Sequence, residues 1–561
     1  MKKILVFSAL IFSTLFSFSQ NNVGVLIKNL RAHIQYLSSD ELEGRMTGSE
    51  GEQKAYQYIM MQFRANGILP PNGGSYEQVF DFSLGKKLSG NNFLESDGKS
   101  FLLHKDFFPL AFSANGVANA KCVDVAYGIT ATEIVYDDYK KFSNKGEEKI
   151  SGKIFLINIS NPVPENPHSK YSPYTDLRLR VQTAKQNGAL AVLFYNTDPK
   201  IESPDSNLKM KSAVEEIPVF FITHSVYEKL SSAKKKAVSI SVNMEEVHGT
   251  GHNVIGWIDN QSPYTIVIGA HYDHLGFGEE GGSMYRGNEK LIHNGADDNA
   301  SGTALIIELA RELHKSEFVA NNYLFVAFSG EELGLFGSNY FTKNPSVDLS
   351  QVNYMLNFDM VGRMDRNDYV LGINGVGTSS SWLTVPKIHI DSMRIKTTES
   401  GIGPSDHTSF YLKDIPVLHF FSGTHEDYHK PSDDEEKINY DGIVDINKYV
   451  LALIDSLNDD GKIDFQKTKE DTMDVPRFTV TLGIVPDYLF DGNGLRVDGV
   501  TEGKPAFQAG LKAGDIIIKL GDLEITDMMS YMKGLSLFKK GDKTSVSFLR
   551  DGTEIEAEVQ F

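Results

Sequence analysis

The chain has 561 residues, 41% hydrophobic and 23% charged, an ordinary globular composition too long for one core, so roughly two to four domains are expected. Its 55 basic and 74 acidic residues leave a net charge of −19, which excludes nucleic acid as the main ligand because phosphate binding needs a basic surface. The single cysteine, Cys122, excludes an intrachain disulfide and reads as a small buried hydrophobe.

Residues 1–19 have the parts of an export signal. Lys2 and Lys3 precede an apolar run, Ile4 to Phe16, and Ser17 and Ser19 suit cleavage before Gln20. The run is short for a span of about 20 residues. The mature chain is therefore expected in a periplasm or secreted, with no membrane span after signal removal. Ala55, Ile59 and Phe63 then recur at helical spacing up to a stop at Asn66-Gly67. Over 83–247 the texture changes. "GKIFLIN", "ALAVLFY" and "IPVFFIT" read as strands and Leu177 to Asn187 as a helix, which makes a small α/β insert without metal-spaced ligands.

Residues 23–82 and 248–457 form the body around that insert. "YTIVIGA", "NYLFVAFSG", "NYMLNFD" and "IPVLHFF" are nearly all apolar, as strands covered on both faces are. Ser301 to Lys315 reads as an amphipathic helix. A charged linker over 458–475 leads to a short-strand module, 476–561. That linker predicts an independent unit which the chemistry does not need.

In open α/β sheets, sites form beyond the carboxyl ends of the strands. Those ends bring His271, Glu332, Asp359 and His429 to one edge, and "NGADDNASG" adds Asp297. Imidazole and carboxylate suit zinc, with cobalt or manganese as substitutes. Five ligands exceed one open tetrahedral ion, so two zincs about 3.5–4 Å apart are expected, with one carboxylate between them. Asp297 is the candidate bridge, leaving Asp298 to cap the helix or to support the site. "HEDYH", His425 to His429, matches a one-zinc signature that works only on a helix. Gly423 and Pro431 argue against a helix there, which makes His425 a loop histidine. His274, His293 and His407 read as supporting residues.

"HYDHLG", "NGADDNASGTA", "SGEELGLFGS", "NFDMVG" and "DYHKPSDD", in that order, resemble the exported co-catalytic zinc aminopeptidases. The insert resembles a protease-associated domain. "GKPAFQAGLKAGDIIIKLGDLEI", with Thr481 to Ile484 upstream, resembles a bacterial PDZ domain. The resemblance implies an α/β zinc-exopeptidase body with a mixed central sheet flanked by helices. It implies two zinc ions, one held by His271, Asp297 and Asp359 and the other by Asp297, Glu332 and His429. It also implies Glu331 as general base, Asp273 behind His271, and Tyr428 as donor to the oxyanion. The expected partners are peptide substrates, and an extended or C-terminal peptide at the PDZ-like module. A carboxypeptidase or dipeptidase on the same body, and a non-catalytic peptide binder, are the alternatives.

Overall fold

A computed structural model describes residues 23–142, 150–164, 169–208, 214–232, 237–390, 392–468, 480–487, 490, 492–501, 503–526, 528–539 and 541–561. The proposed signal lies outside the described residues. The chain divides into two compact units, Phe82–Gly249 and the remainder.

The larger unit is built on an eight-stranded sheet. Its strands are β1 (Glu77–Leu88), β2 (Met244–Ile258), β3 (Thr265–His271), β4 (Asn322–Phe328), β5 (Val352–Phe358), β6 (Val370–Asn374), β7 (Arg394–Thr398) and β8 (Val417–Phe421). Their spatial order is β1-β2-β4-β3-β5-β8-β6-β7. The four apolar runs of the sequence are the parallel centre, β4-β3-β5-β8. Every residue of β3, β4 and β5 is buried. β2 and β6 flank that centre antiparallel, so the sheet is mixed. Gly269 in β3 has no room for a side chain: a Cβ there would lie 2.7 Å from the Phe328 ring.

Helices cover both faces. A helix over 23–37 (α1), α2 (Glu50–Ala65), α3 (Gly302–Leu313) and α6 (Tyr440–Leu457) pack one face through Leu30, Phe63, Ile306 and Val450. α4 (Phe336–Lys343) and α5 (His407–Tyr411) pack the other through Phe341 and Phe410. α2 starts at Ser49, whose side chain accepts from Glu52 N–H, and ends at Asn66. Gly67 follows at φ +77°, the left-handed stop a glycine allows. β3 and β4 end in register, His271 opposite Phe328, and β5 ends with Phe358 opposite Phe420. The loops that follow these strands therefore meet at one edge.

In the insert, strands Ile154–Asn158, Ala191–Tyr195 and Val219–Ile222 are parallel neighbours, and helix Leu177–Gln186 begins at the Asp176 cap. Cys122, expected to be buried, is half-buried, and its surroundings push the thiol up to about 12. In the C-terminal module, six strands and the helix Met528–Ser536 enclose Leu482, Val497, Ile517, Val546 and Phe548 among the described residues.

Part of the tract read as a linker is fastened to the body. Ile463 is buried and its N–H donates to Asn353 Oδ1 at 2.9 Å. Asp464 accepts from the Ser379 and Ser380 hydroxyls at 2.9 and 2.7 Å. Its charged residues suggested solvent, but an apolar residue and a satisfied carboxylate hold it down.

Candidate metal centre

The edge where the central strands end gathers histidines and carboxylates in two groups. His271, Asp298 and Asp359 form one, and His274, Asp298 and Glu332 the other, each with its ligand atoms within 4.8 Å of one another. His429 joins the second group, with Nε2 3.2 Å from Asp298 Oδ2 and 3.3 Å from Glu332 Oε2. In the first, His271 Nε2 lies 3.4 Å from Asp298 Oδ1 and 3.2 Å from Asp359 Oδ1. The two oxygens of Asp298 thus face opposite groups.

The carboxylate between the groups is Asp298 and not Asp297, the residue chosen from the sequence. Neighbouring side chains on this turn leave in different directions. Asp297 turns into the protein, where Oδ1 accepts from Gly362 N–H at 2.6 Å and Ser301 Oγ at 3.0 Å, and Oδ2 faces His425 Nε2 at 3.2 Å. Nor does Asp298 cap α3. Asn299 Oδ1 accepts from Gly302 N–H at 3.0 Å instead. His425 to His429 form a turn, with Tyr428 N–H donating to His425 O.

The spacing fits a divalent ion. Charged N–H···O hydrogen bonds run about 2.7–2.9 Å. Donors around a tetrahedral zinc at about 2.0–2.1 Å stand about 3.3 Å apart. The His271 and His429 separations above fall at the second spacing. His274 differs: its Nδ1 is 2.7 Å from Glu332 Oε1, a hydrogen bond, so it orients Glu332. His271 and Asp359 with Asp298 Oδ1, and His429 and Glu332 with Asp298 Oδ2, are the two donor sets.

Several groups fix the ligands. His271 Nδ1–H donates to Asp273 O at 3.2 Å, which aims Nε2 at the carboxylates. Asp273 also accepts from Thr47 Oγ1 at 3.0 Å and from Glu331 N–H at 3.2 Å, so it sets His271 and Glu331 together. His429 Nδ1–H donates to Gly282 O at 2.9 Å, and Met284 N–H donates to His429 O. Tyr428 stacks on His429 with ring centres 3.9 Å apart.

Two supports went unread in the sequence. Asp433 Oδ2 accepts from the N–H groups of both Asp297 and Asp298 at 3.0 Å. Arg45 is fully buried and donates to the carbonyls of Leu37, Tyr272, Asn294 and Gly295. Burial lowers the Arg45 guanidinium only to about 10, so it stays charged beside the acidic cluster. A cation between glycines in "LEGRMTG" was the available signal. His293 bonds Ser283 Oγ, and His407 stacks on His419 with ring centres 4.5 Å apart.

Electrostatics couple the cluster. Burial opposes a charge on His429, yet Glu332 and Asp298 push it up to about 11. For His271, burial is likewise outweighed, by Asp359 and Glu331. Glu332 is held well below the carboxylate range: burial opposes this, and His429 and His274 outweigh it. Glu331 goes the other way. Burial and then the like charges of Glu332 and Asp359 raise it well above that range, although His271 opposes them. Two adjacent glutamates are thereby pushed apart, Glu332 toward the ionised form and Glu331 toward a higher proton affinity.

Residues 253–454 match the model of peptidase family M28, 463–561 that of the PDZ domain and 109–230 that of the PA domain. The chain is similar to Aminopeptidase YwaD of Bacillus subtilis, 28% identical over 293 residues that cover 49% of this chain and 58% of that protein. It is also similar to a probable leucine aminopeptidase of Arthroderma otae, 29% identical over 218 residues that cover 36% and 56%. The chain spans a little over half the length of these relatives. Among solved structures, the aminopeptidase from Aneurinibacillus sp. strain AM-1 matches at 24% identity over 79% of this chain and 95% of that one, with a TM-score of 0.44. A zinc aminopeptidase from Bacillus subtilis matches at 23% over 79% and 96%, with a TM-score of 0.42.

Proposed function

We propose that this chain, which carries a peptidase family M28 domain with an inserted PA domain and a C-terminal PDZ domain, is an exported aminopeptidase that uses two zinc ions. The observation that carries the reading is Asp298, whose two oxygens face two separate His-carboxylate sets at 3.2–3.4 Å. N-terminal cleavage, in preference to C-terminal, rests on the aminopeptidase names of the curated relatives. Export rests on the signal read in residues 1–19.

His271, Asp359 and one oxygen of Asp298 would hold one ion. His429, Glu332 and the other oxygen would hold the second. Zinc so bound supplies Lewis acidity toward a peptide carbonyl and makes water a stronger acid. Glu331 takes no part in the donor sets, and its raised proton affinity suits it to accept a proton from water and pass it to the leaving amine. Asp273 holds Glu331 in place by its backbone and His271 by its ring. The Tyr428 hydroxyl is kept protonated by burial and the nearby carboxylates, and it donates to the oxygen that becomes negative. The PDZ domain is read as taking an extended or C-terminal peptide.

The test is hydrolysis of aminoacyl p-nitroanilides, with N-terminally blocked and C-terminally blocked peptides in parallel. Cleavage that needs a free N-terminus and stops on zinc removal is the expected result. Cleavage that needs a free C-terminus would replace the reading with a carboxypeptidase.

A further inference from the structure

Thr424 stands immediately before the turn that carries Tyr428 and His429, and it is bonded to the PDZ domain. Its Oγ1 lies 2.9 Å from Pro486 O and 2.7 Å from Asp498 Oδ2. Asp487 N–H, in the same peptide unit as Pro486 O, donates to Arg496 O. The Pro486 carbonyl therefore points away from its partner strand, to the free edge of the domain's sheet. Beside this contact, Glu426 and Lys430 of the turn and Val500, Phe507 and Leu511 of the domain line one groove of about 370 Å³.

Thr424 is also one residue from His425, which bonds Asp297, the neighbour of Asp298. Farther along, Asp427 is tied to Arg363 at 3.1 Å and Lys437 at 2.7 Å. The turn is thus anchored to the body at its middle and to the PDZ domain at its start.

A hydroxyl carries one hydrogen, and a carbonyl oxygen only accepts. If Thr424 donates to Pro486 O, the contact with Asp498 forms only when Asp498 is protonated and donates to Oγ1. If Asp498 is ionised, it takes the Thr424 hydrogen and leaves Pro486 O without it.

We propose that Thr424 and Asp498 form a latch, complete only when Asp498 carries a proton, by which the PDZ domain positions the turn bearing Tyr428 and His429. The latch would make the module contribute to the chemistry, against the expectation that it is separate. Thr424 and Asp498 are positioning residues, and their effect on turnover rests on the aminopeptidase reading. The charged groups facing Asp498 are Asp487, Arg496 and His425. Burial, then Asp487, raises its carboxyl to about 7, while Arg496 and His425 oppose the rise. As pH rises through that value the latch falls from two bonds to one: Thr424 keeps Asp498 and gives up Pro486 O.

The test uses the full chain with Thr424→Val, Asp498→Asn and Asp498→Ala. Asparagine donates from Nδ2 at every pH, so Asp498→Asn keeps the latch closed. The first readout is hydrogen exchange of the peptide 422–434, which needs no activity. Faster exchange is expected in Thr424→Val and Asp498→Ala at pH 6, and slower exchange in Asp498→Asn than in the parent at pH 8.5. The second readout is kcat on a short aminoacyl reporter at both pH values. Thr424→Val should lose about 3- to 10-fold in kcat with little change in KM or zinc content. The ratio of Asp498→Asn to parent should rise from about one at pH 6 to about three at pH 8.5. Exchange and kcat that match the parent in all three variants would overturn the latch. So would Asp498→Asn behaving as Asp498→Ala. A parent inactive on every reporter, with the exchange pattern as expected, would sink the aminopeptidase reading and leave the latch standing.

Discussion

Glu331 and Glu332 are adjacent, yet their surroundings assign them opposite duties. Glu332 faces His429 at 3.3 Å and His274 at 2.7 Å, and Glu331 lies outside both donor sets. Glu331→Gln should therefore keep its zinc and lose about 100- to 10,000-fold in kcat, the usual cost of a missing general base. Zinc lost along with activity would make Glu331 a ligand. The two histidines of the 425–429 turn separate in the same way. His429→Ala should lower zinc occupancy strongly. His425→Ala reaches the centre only through Asp297 and should weaken zinc about 10- to 100-fold at most. Equal occupancy loss in both, read by elemental analysis, would restore the one-zinc reading of "HEDYH".

At the scale of elements, the centre depends on three chain segments that meet at Arg45. Its guanidinium satisfies carbonyls at the end of α1, after β3 and at the start of the Asn294–Asp298 turn. Arg45→Met would take a donor from each of those carbonyls and remove the cation beside Asp298. We expect a loss of about 3 kcal/mol in urea unfolding, together with weaker zinc binding. An unchanged unfolding midpoint would remove Arg45 from the account. The four central strands were legible in the sequence because burial on both faces makes them continuous apolar runs. β6 and β7 were not: β6 (Val370–Asn374) has Gly372 and Asn374 in its run, and β7 (Arg394–Thr398) is an edge strand with Arg394 exposed. The sheet edge and most ligands followed from where the strands stop. The choice between Asp297 and Asp298 did not, because it depends on where each side chain leaves a turn closed by Ser301 and by two residues distant in sequence, Gly362 and Asp433.

For the whole molecule, the acidic balance of −19 coexists with a carboxylate cluster that needs cations, and zinc supplies them in our reading. Zinc removal should lower the thermal midpoint of the chain, and readdition should restore it. The PDZ domain adds a separate pH term. The Asp498 carboxyl is raised to about 7 from 3.8, so its contribution is fully present below about pH 4 and is lost as pH rises through 7. Asp498→Asn should therefore raise the thermal midpoint relative to the parent more at pH 8 than at pH 4. The bridging role of Asp298 between two metal sites underlies the zinc-dependent outcomes. Its most direct measurement is the zinc content of purified parent, Asp298→Asn and Asp297→Asn chains. Two zinc ions per parent chain, loss of both in Asp298→Asn, and only weakened binding in Asp297→Asn are expected. Two ions retained in Asp298→Asn, with both lost in Asp297→Asn, would contradict the bridging role.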